Sequence, residues 1–456
     1  MLDFVPLKWA LFMSIIIFSS VRADPLVLGF TKSMPPPNQV ANFLSNRASG
    51  LARQERFLAE KLGLSDKNNS DDDIDDNEAR TGKDNGDNAS SATTVSSENN
   101  IYGVRNYLWS YLITVGVGHP KQEFKLILDT GSSVLWVPSS KCSNTTCPGS
   151  SSVSLFDTSA STSYQVEEGN IFNLSYGSGG CSGESGQDSI FIGDTEIKHQ
   201  KFGVADKVSE DLLTDGVNGI LGFGPGITDQ KFNSKAEKWS TPMQHLLDNG
   251  NIKSNMFSIY FDNVDTKDEL ETANGRLVLG GLPPHEYYTG EIQWANLFSE
   301  GKYKYYWAIK SQGIKVNNKR ISGNLRGIVD TGTTMTILAP EYGKRVISAL
   351  KIVKYDEKNS LYYVDCKKIN SLPTLTFLLD GNIELSLTPE QYTAPSWQTS
   401  FWLVKDNQCP LYLSTDIVTE FDFILGQKFL EYHVAAHDID NKRIGLAPRI
   451  HDKNPE

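Results

Sequence analysis

A chain of 456 residues exceeds one ordinary hydrophobic core, so two or three domains are expected. Its hydrophobic fraction of 39% is that of a globular protein. The formal net charge of −12 argues against a nucleic-acid partner, because phosphate binding needs a basic face.

In chain order, Lys8 gives a positive start, Trp9 to Phe18 an apolar core, and Val21-Arg22-Ala23 a small-residue site for cleavage before Asp24. Residues 1–23 therefore read as a secretory signal peptide, and the apolar run is too short to span a bilayer. No later run suits a membrane span and the polar tail carries no lipid-anchor signal, so no membrane anchor is expected. The expected destination is secretion, with a vacuolar or lysosomal lumen as the alternative. Residues 24–64 hold a proline cluster, Pro35 to Pro37, then a basic amphipathic stretch with Leu51, Leu58 and Leu62 on one helical face. Residues 65–100 are almost free of large apolar side chains and cannot build a core, so a disordered acidic linker is expected. Together, 24–100 read as a removable pro-segment on a cleavable tether. No Lys-Arg pair marks the linker, so self-cleavage is expected in preference to dibasic processing.

From Tyr102 the texture changes. Short apolar runs alternate with Gly, Asn, Asp and Ser clusters: YLITVGVG, FKLILD, SIFIGD, MFSIYFD, RLVLGG, GIVD, LPTLTFLLDG and FDFILG. This is a mostly-β pattern. Helical stretches are few, with Thr241 to Asn249 and Glu341 to Leu350 as the expected candidates. In an oxidising compartment Cys142 with Cys147, and Cys366 with Cys409, are the expected disulfides, leaving Cys181 over. No histidine or second cysteine pair stands at zinc-ligand spacing near them, and no metal or cofactor is expected. Sequons fall at Asn68, Asn88, Asn144 and Asn173.

The chain also repeats itself. Leu126-Ile-Leu-Asp129-Thr130-Gly131-Ser132 is echoed by Gly327-Ile-Val-Asp330-Thr331-Gly332-Thr333. Gly219-Ile-Leu-Gly222 trails the first copy and Phe423-Ile-Leu-Gly426 the second, with Asp-to-Gly intervals of 93 and 96 residues. One Asp-Thr-Gly is weak evidence, since about one chain in ten of this size would carry it by chance. Two copies in matching context imply two related β lobes, 101–290 and 291–456. A carboxylate ending an apolar strand needs donors, and the following Thr-Gly-hydroxyl segment can supply them from backbone and side chain. If the lobes pack about a pseudo-twofold axis, the carboxylates meet and share a proton. One can then take a proton from water while the other protonates a carbonyl oxygen, which hydrolyses an amide without a covalent intermediate.

The chain resembles the pepsin-like aspartic proteases. The likeness rests on Asp129-Thr-Gly-Ser-Ser-Val-Leu-Trp136-Val-Pro138, Tyr176-Gly177-Ser178-Gly179, Asp330-Thr-Gly-Thr-Thr334, the two Ile-Leu-Gly elements and Arg443-Ile-Gly-Leu-Ala-Pro448. It runs from about Tyr102 to the end, and within the family it is most similar to the secreted mucor-type fungal enzymes. The resemblance implies a bilobal fold with a deep cleft, a polypeptide substrate, a zymogen form and a monomer. It implies Asp129 and Asp330 as the catalytic pair. Thr130 and Thr331, with Gly131 and Gly332, would brace the two loops, while Ser132 and Thr333 donate hydroxyls to the outer carboxylate oxygens. Tyr176, Gly177 and Ser178 would sit on a flap, with the Tyr176 hydroxyl near the Trp136 indole. Ile127, Ile220 and Tyr306 would wall subsites. Departures from the family are a missing third disulfide, the thiol of Cys181 past the flap tip, and the polar pair Glu184-Ser185 where apolar residues are common.

Two other readings stand beside this one. A catalytically dead bilobal binding or inhibitor protein would have lost one aspartate or its supports, and both sets are intact here. A glycosidase would hold its acids further apart and leaves the twin loops unexplained. No Gly-x-Ser-x-Gly elbow or His-Glu-x-x-His site is present. His433 and His437, on one expected strand, would stand about 13 Å apart at ~3.3 Å per residue, too far for one metal.

Overall fold

The computed structural model describes residues 101–106, 111–176, 179–209, 212–213, 217–226, 240–261, 275–356, 361–402, 404–415 and 421–450. The expected signal peptide (1–23), the pro-segment (24–100) with its sequons, and the flap-tip residues Gly177 and Ser178 lie outside them.

The described chain is mostly β, and the repeated sequence is a repeated topology. The strand Tyr111–Val117 buries all but Thr114 and pairs antiparallel with Gln122–Asp129, from Leu112↔Ile127 to Val117↔Gln122. On its other edge Gln122–Asp129 runs parallel to Ile220–Gly222, with Asp129 beside Gly222. Trp136 then pairs antiparallel with Ile220. The second half does the same. Leu325–Val329 runs parallel to Phe423–Leu425, and Thr336–Leu338 pairs antiparallel with that strand. Phe423–Leu425 and the Gly327–Val329 end of its partner are buried on both faces, which is why they read as short apolar runs. The closing glycine of each Ile-Leu-Gly is a matter of space. A Cβ on Gly222 would stand 2.4 Å from the Val134 nitrogen, and one on Gly426 would stand 2.1 Å from the Met335 carbonyl oxygen.

The halves are joined through backbone. Among the described residues, one 13-stranded sheet carries the first aspartate and also takes in Met256–Phe261, His433–Asp438, Arg443–Pro448 and Gln293–Asn296. Ala435 lies opposite Ile259, so chain from the two halves is hydrogen-bonded edge to edge. An eight-stranded sheet carries the second aspartate. Trp307 is fully buried near the junction, and its indole N–H donates to the Phe223 carbonyl at 2.9 Å.

Both expected helices form. Pro242–Asp248 starts after Thr241, whose hydroxyl oxygen accepts the Gln244 N–H at 3.2 Å. Pro340–Leu350 opens on a proline and buries Gly343, Val346 and Leu350. The strand Ala308–Val316 is harder to read from sequence. Lys310, Gln312 and Gly313 interrupt its apolar pattern, and a register shift between Ser311 and Gly313 moves its alternation out of phase. Cys142–Cys147 and Cys366–Cys409 are disulfide-bonded, as the cysteine spacing suggested, and Cys181 stands outside both bonds. His433 and His437 are both buried on the strand His433–Asp438.

Candidate active site

Each aspartate stands where an apolar strand ends and the chain turns away. Asp129 closes the strand Gln122–Asp129, and Asp330 follows Leu325–Val329. Both side chains are buried. The tail after each supplies the donors that make burial tolerable. Gly131 N–H donates to Asp129 Oδ1 at 2.7 Å and the Ser132 hydroxyl to Oδ2 at 2.5 Å. Gly332 N–H donates to Asp330 Oδ1 at 3.0 Å and the Thr333 hydroxyl to Oδ2 at 2.6 Å. The two sets repeat atom for atom across 201 residues of sequence.

The loops are locked to each other beneath the carboxyls. Thr130 N–H donates to Thr331 Oγ1 at 3.0 Å, and Thr331 N–H returns the bond to Thr130 Oγ1 at 2.9 Å. Each hydroxyl then donates to a carbonyl of the opposite half, Thr130 to Val329 at 3.3 Å and Thr331 to Leu128 at 2.7 Å. Gly131 lies directly against the other carboxyl: a Cβ there would stand 2.6 Å from Asp330 Oδ1. No side chain fits, so glycine is required by the approach of the two halves.

The carboxyls are within hydrogen-bonding reach of one another. Burial raises Asp129 well above the ordinary 3.8, and the neighbouring Asp330 charge raises it further, against the pull of Ser132 and Gly131. Burial also raises Asp330, and the Thr333 and Gly332 hydrogen bonds oppose it. The pair therefore keeps a proton at a pH where an exposed aspartate has lost its own. That leaves one group able to accept a proton from water and one able to give a proton to a carbonyl oxygen.

An antiparallel hairpin, Gln165–Tyr176 with Gly179–Ile192, carries Tyr176 at its described end, opposite Gly179. Ile127, Trp136, Tyr176 and Ile220 meet in one buried apolar cluster. The Tyr176 hydroxyl and the Trp136 indole nitrogen are both buried without a hydrogen bond of normal geometry. Burial raises the Tyr176 phenol well above its usual range, and Cys181 and Asp129 add to the rise. Tyr306 belongs to a separate cluster in the second half, with Ile328 and Ile424. Trp307, the next residue, accepts the Val329 N–H through its carbonyl at 3.0 Å, which sets Tyr306 level with Asp330.

Residues 110–449 match the model of the eukaryotic aspartyl protease family. The chain belongs to that family. Gastricsin of Cavia porcellus is 32% identical over 347 residues, which is 74% of this chain and 80% of that protein. Cathepsin E-B of Xenopus laevis is 32% identical over 349 residues, 75% and 79% of the two chains. The crystal structure of an aspartic proteinase from Irpex lacteus matches 76% of this chain and 97% of its own, with a TM-score of 0.66 and 27% identity. This eukaryotic aspartyl protease is thus an aspartic-type endopeptidase of bilobal, mostly-β fold. Among its described residues no helix is long and apolar enough to cross a membrane.

One feature of the protease site escaped the sequence. Lys428 and Glu431 form a buried ion pair at 2.8 Å just beneath the second loop, where Lys428 N–H donates to the Thr334 carbonyl at 2.9 Å. Two charges in the run GQKFLEYH gave no sign of burial, because such residues are ordinarily solvated.

Proposed function

We infer that this protease cleaves extended polypeptides at acidic pH through the Asp129/Asp330 pair, and that it is made as a secreted, self-activating zymogen and acts as a monomer. The observation that supports the reading is that Gly131, hydrogen-bonded to Asp129, packs against the Asp330 carboxyl, which brings two buried carboxyls together as a pair able to share one proton. In the cycle, the ionised carboxylate accepts a proton from a water molecule as its oxygen attacks the peptide carbonyl carbon. The protonated carboxyl gives its proton to the carbonyl oxygen. The carboxyl that took the water proton then gives it to the amide nitrogen, the C–N bond breaks, and the other carboxylate takes a hydroxyl proton from the diol, so the pair returns to its starting state. Ser132 and Thr333 hold the outer oxygens and so fix which lone pairs face the substrate. Tyr176, Trp136, Ile127 and Ile220 wall one side of the substrate path, and Tyr306 the other.

The zymogen reading rests on the basic stretch before the acidic linker. At neutral pH that stretch is attracted to cleft carboxylates. Acid protonates them, weakens the attraction and frees the linker for cutting. Secretion is supported by the signal-like N-terminus and by the two disulfides, which need an oxidising compartment.

The test is an acid digest of a denatured protein, with products read by mass spectrometry. Cleavage should vanish in Asp129→Asn and in Asp330→Asn, and full activity in either variant would falsify the dyad. In the same Asp129→Asn precursor held at low pH, the N-terminus should stay uncut; its removal would refute self-activation.

A further inference from the structure

Cys181 has no part in the chemistry described so far, yet the fold brings it into the site. It lies on Gly179–Ile192, opposite Leu174 on one side and Val208 on the other. Its side chain is 3% exposed and belongs to the same apolar cluster as Ile127, Trp136, Tyr176 and Ile220. The groups that act on the Tyr176 hydroxyl are Cys181, Asp129 and Trp136.

Three polar hydrogens thus meet in an otherwise apolar wall. An indole N–H can only donate, a phenol donates once and accepts, and a thiol is a weak donor and acceptor. Two of these groups, Trp136 Nε1 and the Tyr176 hydroxyl, are fully buried and not yet closed into hydrogen bonds of normal geometry. A buried polar group left unpaired is costly, and hydrogen bonds at such sites often tighten only when substrate is bound. The donor count fixes how they can close. Trp136 must give its hydrogen to the Tyr176 oxygen. The Tyr176 hydrogen then needs an acceptor. Asp129 bears on the phenol through its charge alone, whereas Cys181 stands within hydrogen-bonding reach of it. The Cys181 sulfur, in the same apolar cluster, offers one.

We propose that Cys181 is a positioning residue for Tyr176: its sulfur accepts the phenolic hydrogen while the Trp136 indole donates to the same oxygen, so the ring is held over the cleft from both sides. The proposal rests on Asp129 and Asp330 being the catalytic pair and Tyr176 a substrate-covering residue. A cysteine suits the place because it packs as a small hydrophobe and still offers a lone pair.

A double-mutant cycle on the acid-activated full-length protein tests this, with kcat and KM measured on one peptide substrate at acidic pH. Cys181→Val keeps strand propensity and apolar character but removes the acceptor, and it should lower kcat/KM about tenfold. Cys181→Ser, whose oxygen accepts, should stay within about threefold of the parent. In a Tyr176→Phe background the valine substitution should cost less than about twofold, because the hydroxyl it acted through is gone. Equal losses in both backgrounds, or a valine variant matching the parent, would overturn the proposal and leave Cys181 as packing. If the valine variant does not fold, Cys181→Ala runs the same cycle: a loss confined to the Tyr176 background supports the proposal, and equal losses overturn it. A parent whose activity survives Asp129→Asn would overturn the dyad reading and this proposal together. Asp129-dependent activity with an additive cycle overturns the Cys181 role alone.

Discussion

Thr130 and Thr331 each give a backbone N–H to the other's hydroxyl oxygen, at 3.0 and 2.9 Å, although they lie 201 residues apart. Each hydroxyl passes its own hydrogen across to a strand of the opposite half. Four hydrogen bonds therefore close between the halves with no water needed, directly beneath the two carboxyls. Replacing either threonine by valine keeps its shape and strands a buried N–H and a buried carbonyl. At about 1–3 kcal/mol for each of the two orphaned groups, Thr331→Val should destabilise the protein by roughly 2–6 kcal/mol. Urea denaturation would measure it. Serine at the same position keeps the hydroxyl and should cost less than about 1.5 kcal/mol, a lost methyl's worth. If valine proves as mild as serine, the brace does not hold the halves.

The proton shared by Asp129 and Asp330 makes stability depend on pH in a defined direction. Both carboxyls are raised above 3.8 by burial. The folded state therefore binds more protons than the unfolded chain once pH exceeds 3.8, and stability falls as pH rises from there through the folded values. Activity falls over the same rise, as the pair loses the proton it must donate. Between about pH 4 and pH 7 the midpoint of Asp330→Asn should gain on that of the parent as pH rises, because the variant lacks part of the stabilisation that the parent loses over that range. Parallel curves for the two proteins would mean that the pair does not hold its proton in the folded state.

The meeting of the Asp129 and Asp330 carboxyls was legible from sequence because two features cannot be hidden: a carboxylate ending an apolar strand, and its recurrence with the same Thr-Gly-hydroxyl tail. The strands beside it were legible for the same reason, being continuous apolar runs. The partner of Gly131 was not legible, because the need for glycine comes from a carboxyl 199 residues away in the chain. The strand Ala308–Val316 was obscured by Lys310, Gln312 and Gly313, which point outward or mark a bulge. Lys428 and Glu431 were unreadable as buried, since composition carries no record of a charge that finds its partner only in the fold.

That buried ion pair leads to its own prediction. Lys428 and Glu431 are 2% and 6% exposed, and Tyr111 from the first half donates its hydroxyl to Glu431 Oε1 at 3.2 Å. Removing one charge leaves the other buried and uncompensated. Lys428→Met should therefore destabilise the protein by about 3–5 kcal/mol, while Lys428→Met with Glu431→Gln together should cost less than the single change. Chemical denaturation of the parent, Lys428→Met, Glu431→Gln and the double variant decides it. A double variant as unstable as the sum of its parts would show that the two side chains do not act as a pair.

His437 sets an acid limit that opposes the dyad. Its ring is fully buried, stacked on Phe257 at 4.4 Å between centroids, edge-on to Trp307 at 4.7 Å, and neither ring nitrogen has a hydrogen bond of normal geometry. Burial pushes its pKa down from 6.5 to about 3. The unfolded chain then binds a proton at His437 below pH 6.5 that the folded state refuses until about 3, so stability falls as pH falls through that window. At about 1.4 kcal/mol per unit, the loss between pH 7 and pH 4 is roughly 3 kcal/mol. His437→Phe keeps the stack and removes the titration. Whatever fixed packing cost the larger ring brings, it is the same at both pH values. The difference in unfolding free energy between pH 7 and pH 4 should therefore shift by about 3 kcal/mol toward acid stability in the variant. An unchanged difference would mean that His437 accepts its proton within the fold, which would require a polar partner to come within reach of the ring.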